Sequence, residues 1–244
     1  MTDDTVATRS DRVGAKRARQ RGVRVFLRDL VIIFLVAILV SFLIKTFVVR
    51  SFYIPSGSME NTLQINDLII VNELEPALFP IKRGDVVVFT DPGGWLPAST
   101  EKTTTNPLVW ALSLIGLAAP DSDDHLVKRV IGLPGDHVSC CNALGQLVIN
   151  GSPISEPYTI IPPGNTDAAT LHFSVTVPKG DLWVMGDNRY DSQDSSRNQN
   201  LPGKGFVPEK DVVGRAILIS WPINHWSWLS NYPDVFRGID DDKQ

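Results

Sequence analysis

Cysteine and histidine are scarce in this chain, and positive charge is scarce everywhere but at one end. The 244 residues hold two cysteines, Cys140 and Cys141, and these are neighbours. Adjacent cysteines do not build a zinc site, whose ligands must be spaced to converge on one ion. They can close on each other in a strained and unusual ring, stay free, or bridge to another chain. No catalytic role follows from them. The four histidines, His125, His137, His172 and His225, stand in no recognisable triad context. His125 lies in the acidic run "DSDDH" and His137 follows the turn "PGD", so both read as surface residues. Of 23 Lys/Arg and 27 Asp/Glu, eight basic and three acidic residues fall within 1–28, leaving 15 against 24 for the rest. A basic tail can bind nucleic acid, but this one abuts an apolar segment. The excess of Lys/Arg on the cytoplasmic side of a membrane span is the stronger reading, and no nucleic-acid partner is expected.

What is present begins with that segment. "LVIIFLVAILVSFLI", residues 30–44, has 15 residues without a charge. Spanning takes ~20 residues at ~1.5 Å rise each. Continuing to Val49 supplies them, with Lys45 snorkelling to the interface. A cleaved signal peptide would end in small residues, whereas the exit here, "KTFVVRSFYIP", is bulky and charged. The expectation is a cytoplasmic tail over 1–24, a retained single-pass helix over 25–49, and everything from residue 50 onward outside.

Beyond the anchor, helical periodicity is also scarce. "DLIIVNEL" (67–74), "DVVVFT" (85–90), "HLVKRVIGL" (125–133), "LHFSVTVP" (171–178), "DLWVMG" (181–186) and "VVGRAILISW" (212–221) read as strands. "GQLVINGSPIS" (145–155) carries Asn150-Gly151, the strongest short hairpin signal. The fold class is mainly β: an antiparallel barrel or sandwich over 50–222, with a small hairpin subdomain at 137–180 and a tail from 223 to 244. Residues 91–124 interrupt it with loop chemistry. Within them "LVWALSLIGLAA" (108–119) is too short to span and reads as a buried or interfacial helix. Trp226, Trp228 and Tyr232 near the end either face the interface or pack. Arg83-Gly84-Asp85 spells an adhesion tripeptide, but Gly84 is read as the turn launching the next strand. Asn150-Gly151-Ser152 fits a glycosylation sequon that the hairpin explains without sugar.

The chemistry centres on "SFYIPSGSMENTL", residues 51–63, where Ser56 and Ser58 flank a glycine just outside the span. A serine hydroxyl needs a base. Alternation along "HLVKRVIGL" puts Leu126, Lys128 and Val130 on one face of a strand, a core side. A lysine there is either a desolvated amine with a lowered pKa, able to take the Ser58 proton, or a packed stem whose head reaches water.

"IPSGSM" (54–59), "RGDVVVF" (83–89), "KRVIGLPGD" (128–136) and "GDNRYDSQDS" (186–195) resemble, in order, the conserved boxes of type I signal peptidases. These are membrane-anchored serine proteases that remove signal peptides from exported proteins. The long insertion beginning "DPGGW" resembles actinobacterial members. The resemblance implies Ser58 as nucleophile and Lys128 as general base. It implies an oxyanion hole made of the Ser58 backbone N–H and the Ser56 hydroxyl, donors aimed where negative charge develops. Ser192 would orient the lysine amine, and Asp194 would join a supporting ion pair with Arg129. Ile54, Pro55, Met59 and Val127 would form shallow pockets for the small residues of an Ala-x-Ala site, with the substrate added as an extended strand. No metal or cofactor is expected. The partners would be signal peptides of exported preproteins, membrane lipid and the secretion machinery, at a bacterial cell membrane.

One position departs from the family pattern. Ser196 stands where an arginine is expected, and Arg197 comes one place later. A one-residue shift in a strand reverses a side chain's face, whereas a loop can absorb it. Two other classes compete with this reading: an inactive tethered β-domain that binds a partner, and a self-cleaving Ser–Lys repressor. The first needs neither Ser58 nor Lys128. The second would carry a DNA-binding module, and no helix-turn-helix candidate precedes residue 50.

Overall fold

The computed structural model describes residues 25–42, 48–96 and 124–239. The basic tail, Lys45, most of the 91–124 insertion with its 108–119 stretch, and the last five residues lie outside the described residues. The chain divides into two units, residues 1–47 and 48–244. In the first, Val25–Phe42 forms a helix of 18 residues, long and apolar enough to cross a membrane. Val49, expected as the end of that helix, instead opens a strand of the second unit and pairs with Asn72.

The second unit is built of antiparallel strands. The larger sheet contains β1 (Val49–Tyr53), β2 (Leu68–Asn72), β3 (Val86–Thr90), β4 (His125–Gly132), β9 (Asp181–Met185), β10 (Val207–Pro208), β11 (Val212–Trp221) and β12 (Ser227–Trp228). Its order is β1-β2-β11-β3-β4-β9-β10, with β12 added beside β11. The smaller sheet contains β5 (His137–Cys140), β6 (Leu147–Ile149), β7 (Ser152–Pro153) and β8 (Phe173–Thr176), in the order β7-β6-β5-β8. The path from β1 to β10 does not close among the described residues. The large sheet instead curls until Phe52 on β1 meets His125 on β4, ring centroids 5.2 Å apart.

Local sequence accounts for most of these strands. Asn150 and Gly151 both have positive φ, 51° and 87°, as a two-residue hairpin between β6 and β7 demands. β3 reads as an unbroken apolar run because both of its faces are buried. Val86 and Val88 enter one apolar cluster with Phe52, Met59 and Leu63, while Val87 and Phe89 enter another with Leu126, Val130 and Val184. A third cluster joins the small sheet to β9 through Val138, Leu147, Phe173, Trp183 and Met185. Cys140 lies in it and is joined to Cys141 in a disulfide.

The stretch expected as a C-terminal tail packs into the β unit, and the adhesion-like tripeptide, read from sequence as a turn at Gly84, is internal. Within 223–239, Phe236 and Ile239 are buried in the third cluster. Arg83 is buried in a bidentate pair with Asp136, at 2.7 and 2.8 Å. Trp226 and Trp228 stay exposed and stack edge-on against each other, 6.0 Å between centroids.

The end of β9 positions the segment around Ser58. Met185 pairs with Arg129, so Gly186 comes beside Lys128. A Cβ at Gly186 would stand 2.3 Å from Ser192 Oγ and 2.5 Å from the Ser58 carbonyl oxygen. Gly186→Ala should therefore push the Ser58 segment off the sheet. The overpacking should cost about 1–3 kcal/mol and lower the thermal midpoint by several degrees. An unchanged midpoint in thermal unfolding would show that the backbone yields at this contact without strain.

Candidate active site

Ser58 occupies the middle of a short 3-10 turn, Gly57–Met59, and is buried. Ser56 precedes the turn in extended conformation and makes no capping bond with its side chain, which leaves its hydroxyl available. That hydroxyl lies 3.5 Å from Ser58 Oγ. Strand β4 brings the other half of the site from 70 residues away: Lys128 Nζ donates to Ser58 Oγ at 2.7 Å and to the Val127 carbonyl at 3.0 Å. Leu126 and Val130, which alternate with Lys128, both belong to the apolar core, and Lys128 is only 3% exposed.

Burial decides the charge of this lysine. Loss of hydration disfavours the ammonium and pushes the Lys128 pKa down to about 8; Asp194, Asp187 and Asp191 push the other way and do not prevail. Of the two states open to Lys128 in sequence, the structure holds the desolvated one. At neutral pH about a tenth of the molecules then carry a free amine. In those molecules the hydrogen bond reverses, and the amine nitrogen accepts from the serine hydroxyl.

Two expected contacts are not made. Ser192 Oγ is buried beside Gly186 but has no hydrogen-bond partner among the described residues, so it does not hold the lysine amine. Arg129 does not pair with Asp194. Its guanidinium makes a bidentate pair with Asp187, at 2.8 and 2.7 Å. Strand alternation is the reason: Arg129 leaves β4 on the face opposite Lys128, while the Asp194 charge acts on Lys128. Arg129 also donates to the carbonyls of Gly84 and Ser230, and lies over the rings of Tyr158 and Tyr232 at 4.0 and 5.3 Å.

Asp194 is held instead by neutral donors. It accepts from the Gly186 N–H, the Ser196 N–H and, at 2.6 Å, the Ser196 hydroxyl. Ser196, which stands where the resemblance led an arginine to be expected, thus donates to Asp194 itself. Arg197 turns away and donates to the Tyr190 carbonyl.

A cleft of about 200 Å³ opens beside the serine. Ile54, Pro55, Met59 and Val127 all line it, together with Tyr53 and His125. The other histidines lie elsewhere: His137 contacts Thr176 and Ser174, His172 contacts Asp167, and His225 contacts Asp67. Among the described residues, no group of three His, Cys, Asp or Glu is placed to hold a metal ion.

Sequence reasoning missed Asp187, Thr62 and Asn188. Thr62 donates to Asp187 and accepts from Arg129, which ties the Ser58 segment to β4. Asp187 and Asn188 stood inside the quoted "GDNRYDSQDS", but nothing in their spacing distinguishes them from its other polar residues.

Known proteins share this sequence pattern. The chain matches the family described as "Signal peptidase, peptidase S26" over residues 27–221. Signal peptidase I of Mycobacterium tuberculosis (strain ATCC 25618 / H37Rv) is 38% identical over 220 residues, covering 82% of this chain and 74% of that protein. The probable signal peptidase I of Mycobacterium leprae (strain TN) is 35% identical over 249 residues, covering 90% of this chain and 83% of that one. The crystal structure of a signal peptidase I from Enterococcus faecalis V583 gives a TM-score of 0.37 at 25% identity, over 56% of this chain and 96% of that one, a likeness that adds nothing to the assignment. The family match runs through every strand from β1 to the end of β11, and the chain belongs to the signal peptidase family, peptidase S26.

Proposed function

We propose that this hydrolase is a membrane-anchored serine endopeptidase that removes N-terminal signal peptides from exported preproteins through a Ser58–Lys128 dyad. Membership of the family supports signal-peptide removal by a serine protease. The observation that carries the dyad is the 2.7 Å contact between Ser58 Oγ and a lysine amine buried among apolar side chains.

The steps follow from that geometry. The neutral Lys128 amine takes the Ser58 proton as Oγ attacks the scissile carbonyl carbon. The carbonyl electron pair moves to oxygen, where the Ser58 N–H and the Ser56 hydroxyl donate to it. Collapse breaks the C–N bond, and the Lys128 ammonium returns its proton to the departing amine of the mature protein. Water, deprotonated by Lys128, then attacks the acyl-enzyme ester; the acyl C–Oγ bond breaks, the Lys128 ammonium returns the proton to Ser58 Oγ, and the signal peptide leaves as a carboxylate. The substrate adds as an extended strand in the cleft between residues 53–56 and 125–128, with alternate side chains entering the shallow pockets by Ile54, Pro55, Met59 and Val127. Those pockets favour small residues in an Ala-x-Ala pattern. The Val25–Phe42 helix is the anchor, the basic tail stays in the cytoplasm, and the β unit stands outside among lipid, signal peptides and the secretion machinery.

Four outcomes are expected. kcat/KM should rise about tenfold per pH unit at low pH and level off above about 8, as the depressed lysine deprotonates. Lys128→Arg should be inactive at every pH, because guanidinium stays charged; a near-normal rate for it in a precursor-cleavage assay would remove lysine from the mechanism. Ser58→Ala should fall to background, whereas Ser56→Ala should lose about 100–1,000-fold in kcat with little change in KM. Steady-state kinetics on one precursor peptide checks both, and a silent Ser56→Ala with a merely slow Ser58→Ala would reverse the assignment. Protease added to intact spheroplasts should digest the β unit; protection until lysis would overturn the orientation.

A further inference from the structure

Resting on the nucleophile proposed for Ser58, we infer that Asn188 is a positioning residue that aims the Ser58 backbone N–H at the developing oxyanion. Asn188 holds the Ser58 turn at two successive carbonyls. Its backbone N–H donates to the Ser58 carbonyl at 3.1 Å. Its side-chain Nδ2 donates to the Gly57 carbonyl at 3.3 Å and to Glu60 Oε2 at 3.4 Å. Gly57 O also accepts from the Glu60 N–H at 3.0 Å.

The Gly57 carbonyl and the Ser58 N–H belong to one peptide unit. That unit is planar and trans, so its C=O and N–H point in opposite directions. Fixing the Gly57 carbonyl on Asn188 therefore turns the Ser58 N–H away from Asn188. Ser58 lines the cleft and Asn188 does not, so that direction leads toward the substrate. Glycine at position 57 leaves this plane soft in isolation, since no Cβ restricts its φ and ψ. Two donors on one carbonyl also polarise the peptide, which strengthens the N–H on its far side.

The platform behind Asn188 is rigid. Asn188 bridges to Ile160, and the Ile160 N–H donates to the Asp187 carbonyl. The Asp187 carboxylate is locked by the buried Arg129 guanidinium. The chemistry of the side chain is fixed as well. The groups it faces, Gly57 O and a Glu60 carboxylate oxygen, only accept hydrogen bonds, so an amide NH₂ must stand there. An aspartate of the same shape would set oxygen against oxygen.

The test uses the full chain in detergent, with Asn188→Ala and the isosteric Asn188→Asp beside wild type and Ser58→Ala. Four quantities are read: kcat and KM on a precursor peptide, the pH of half-maximal rate, affinity for an uncleavable peptide analogue, and affinity for a peptide aldehyde that forms a tetrahedral adduct with serine. Both Asn188 variants should lose about 10–100-fold in kcat, Asp more than Ala, with KM within about twofold. Aldehyde affinity should fall by the same factor while the uncleavable peptide binds as before, and the half-maximal pH should stay near its wild-type value. Unchanged kcat in both variants overturns the role of Asn188. So does a parallel loss of affinity for both ligands, which would make Asn188 a structural residue of the cleft. Failure of the underlying assignment looks different: Ser58→Ala would then cleave at the wild-type rate, whatever the Asn188 variants do.

Discussion

Withdrawing one amine from water is the constraint around which the β unit is arranged. A lysine gives up its proton near neutral pH only where hydration is lost and no carboxylate touches it. Lys128 meets both conditions. Leu126 and Val130 flank it along the strand, Gly186 brings the neighbouring strand close, and its hydrogen bonds go to a hydroxyl and a carbonyl. The nearby carboxylates raise its affinity for a proton but stop short of an ion pair. Neutral donors occupy Asp194, and Arg129 occupies Asp187, so neither carboxylate is left to seek the lysine.

Arg129 shows the opposite treatment of a cation one residue away. It is fully buried and remains charged, because Asp187, two carbonyls and two tyrosine rings replace its water shell. Its donors are spent in a fixed fork, which a lysine could not reproduce. Successive residues of one strand thus place a neutral-prone amine on one face and a permanent positive strut on the other. The strut joins four separate stretches of chain: the Ser58 segment through Thr62, the start of β3 through Gly84, the stretch after β9 through Asp187, and the region of Ser230.

The sequence carried the elements whose causes are local. Alternation located β4 and β8, apolar runs rich in β-branched residues located β2, β3, β9 and β11, and Asn150-Gly151 located the hairpin, because side-chain period and turn chemistry act over a few residues. Family resemblance pointed to Ser58 and Lys128, which the fold brings into contact. What sequence did not carry were choices between similar partners. Nothing in "GDNRYDSQDS" says which aspartate meets Arg129, since that depends on which face of β4 the arginine leaves. β1 begins on Val49, the last residue assigned to the span, and its mixed sequence with Arg50 and Ser51 shows no alternation that would mark a strand. The role of residues 223–239 was missed because two buried side chains, Phe236 and Ile239, in a polar stretch give no periodic signal.

Those last residues also set an order of events. Arg129 hydrogen-bonds to Ser230 across 101 positions, and Phe236 and Ile239 fill the core beneath the small sheet. A chain made from its N-terminus has Ser58 and Lys128 in hand long before it has this closing piece. Until about thirty more residues than β9 and β10 require have been synthesised, the Arg129 pocket lacks a wall, and the strand bearing Lys128 lacks its anchor on that side. The pocket of the buried arginine is therefore closed by a stretch of chain that follows every described strand of both sheets.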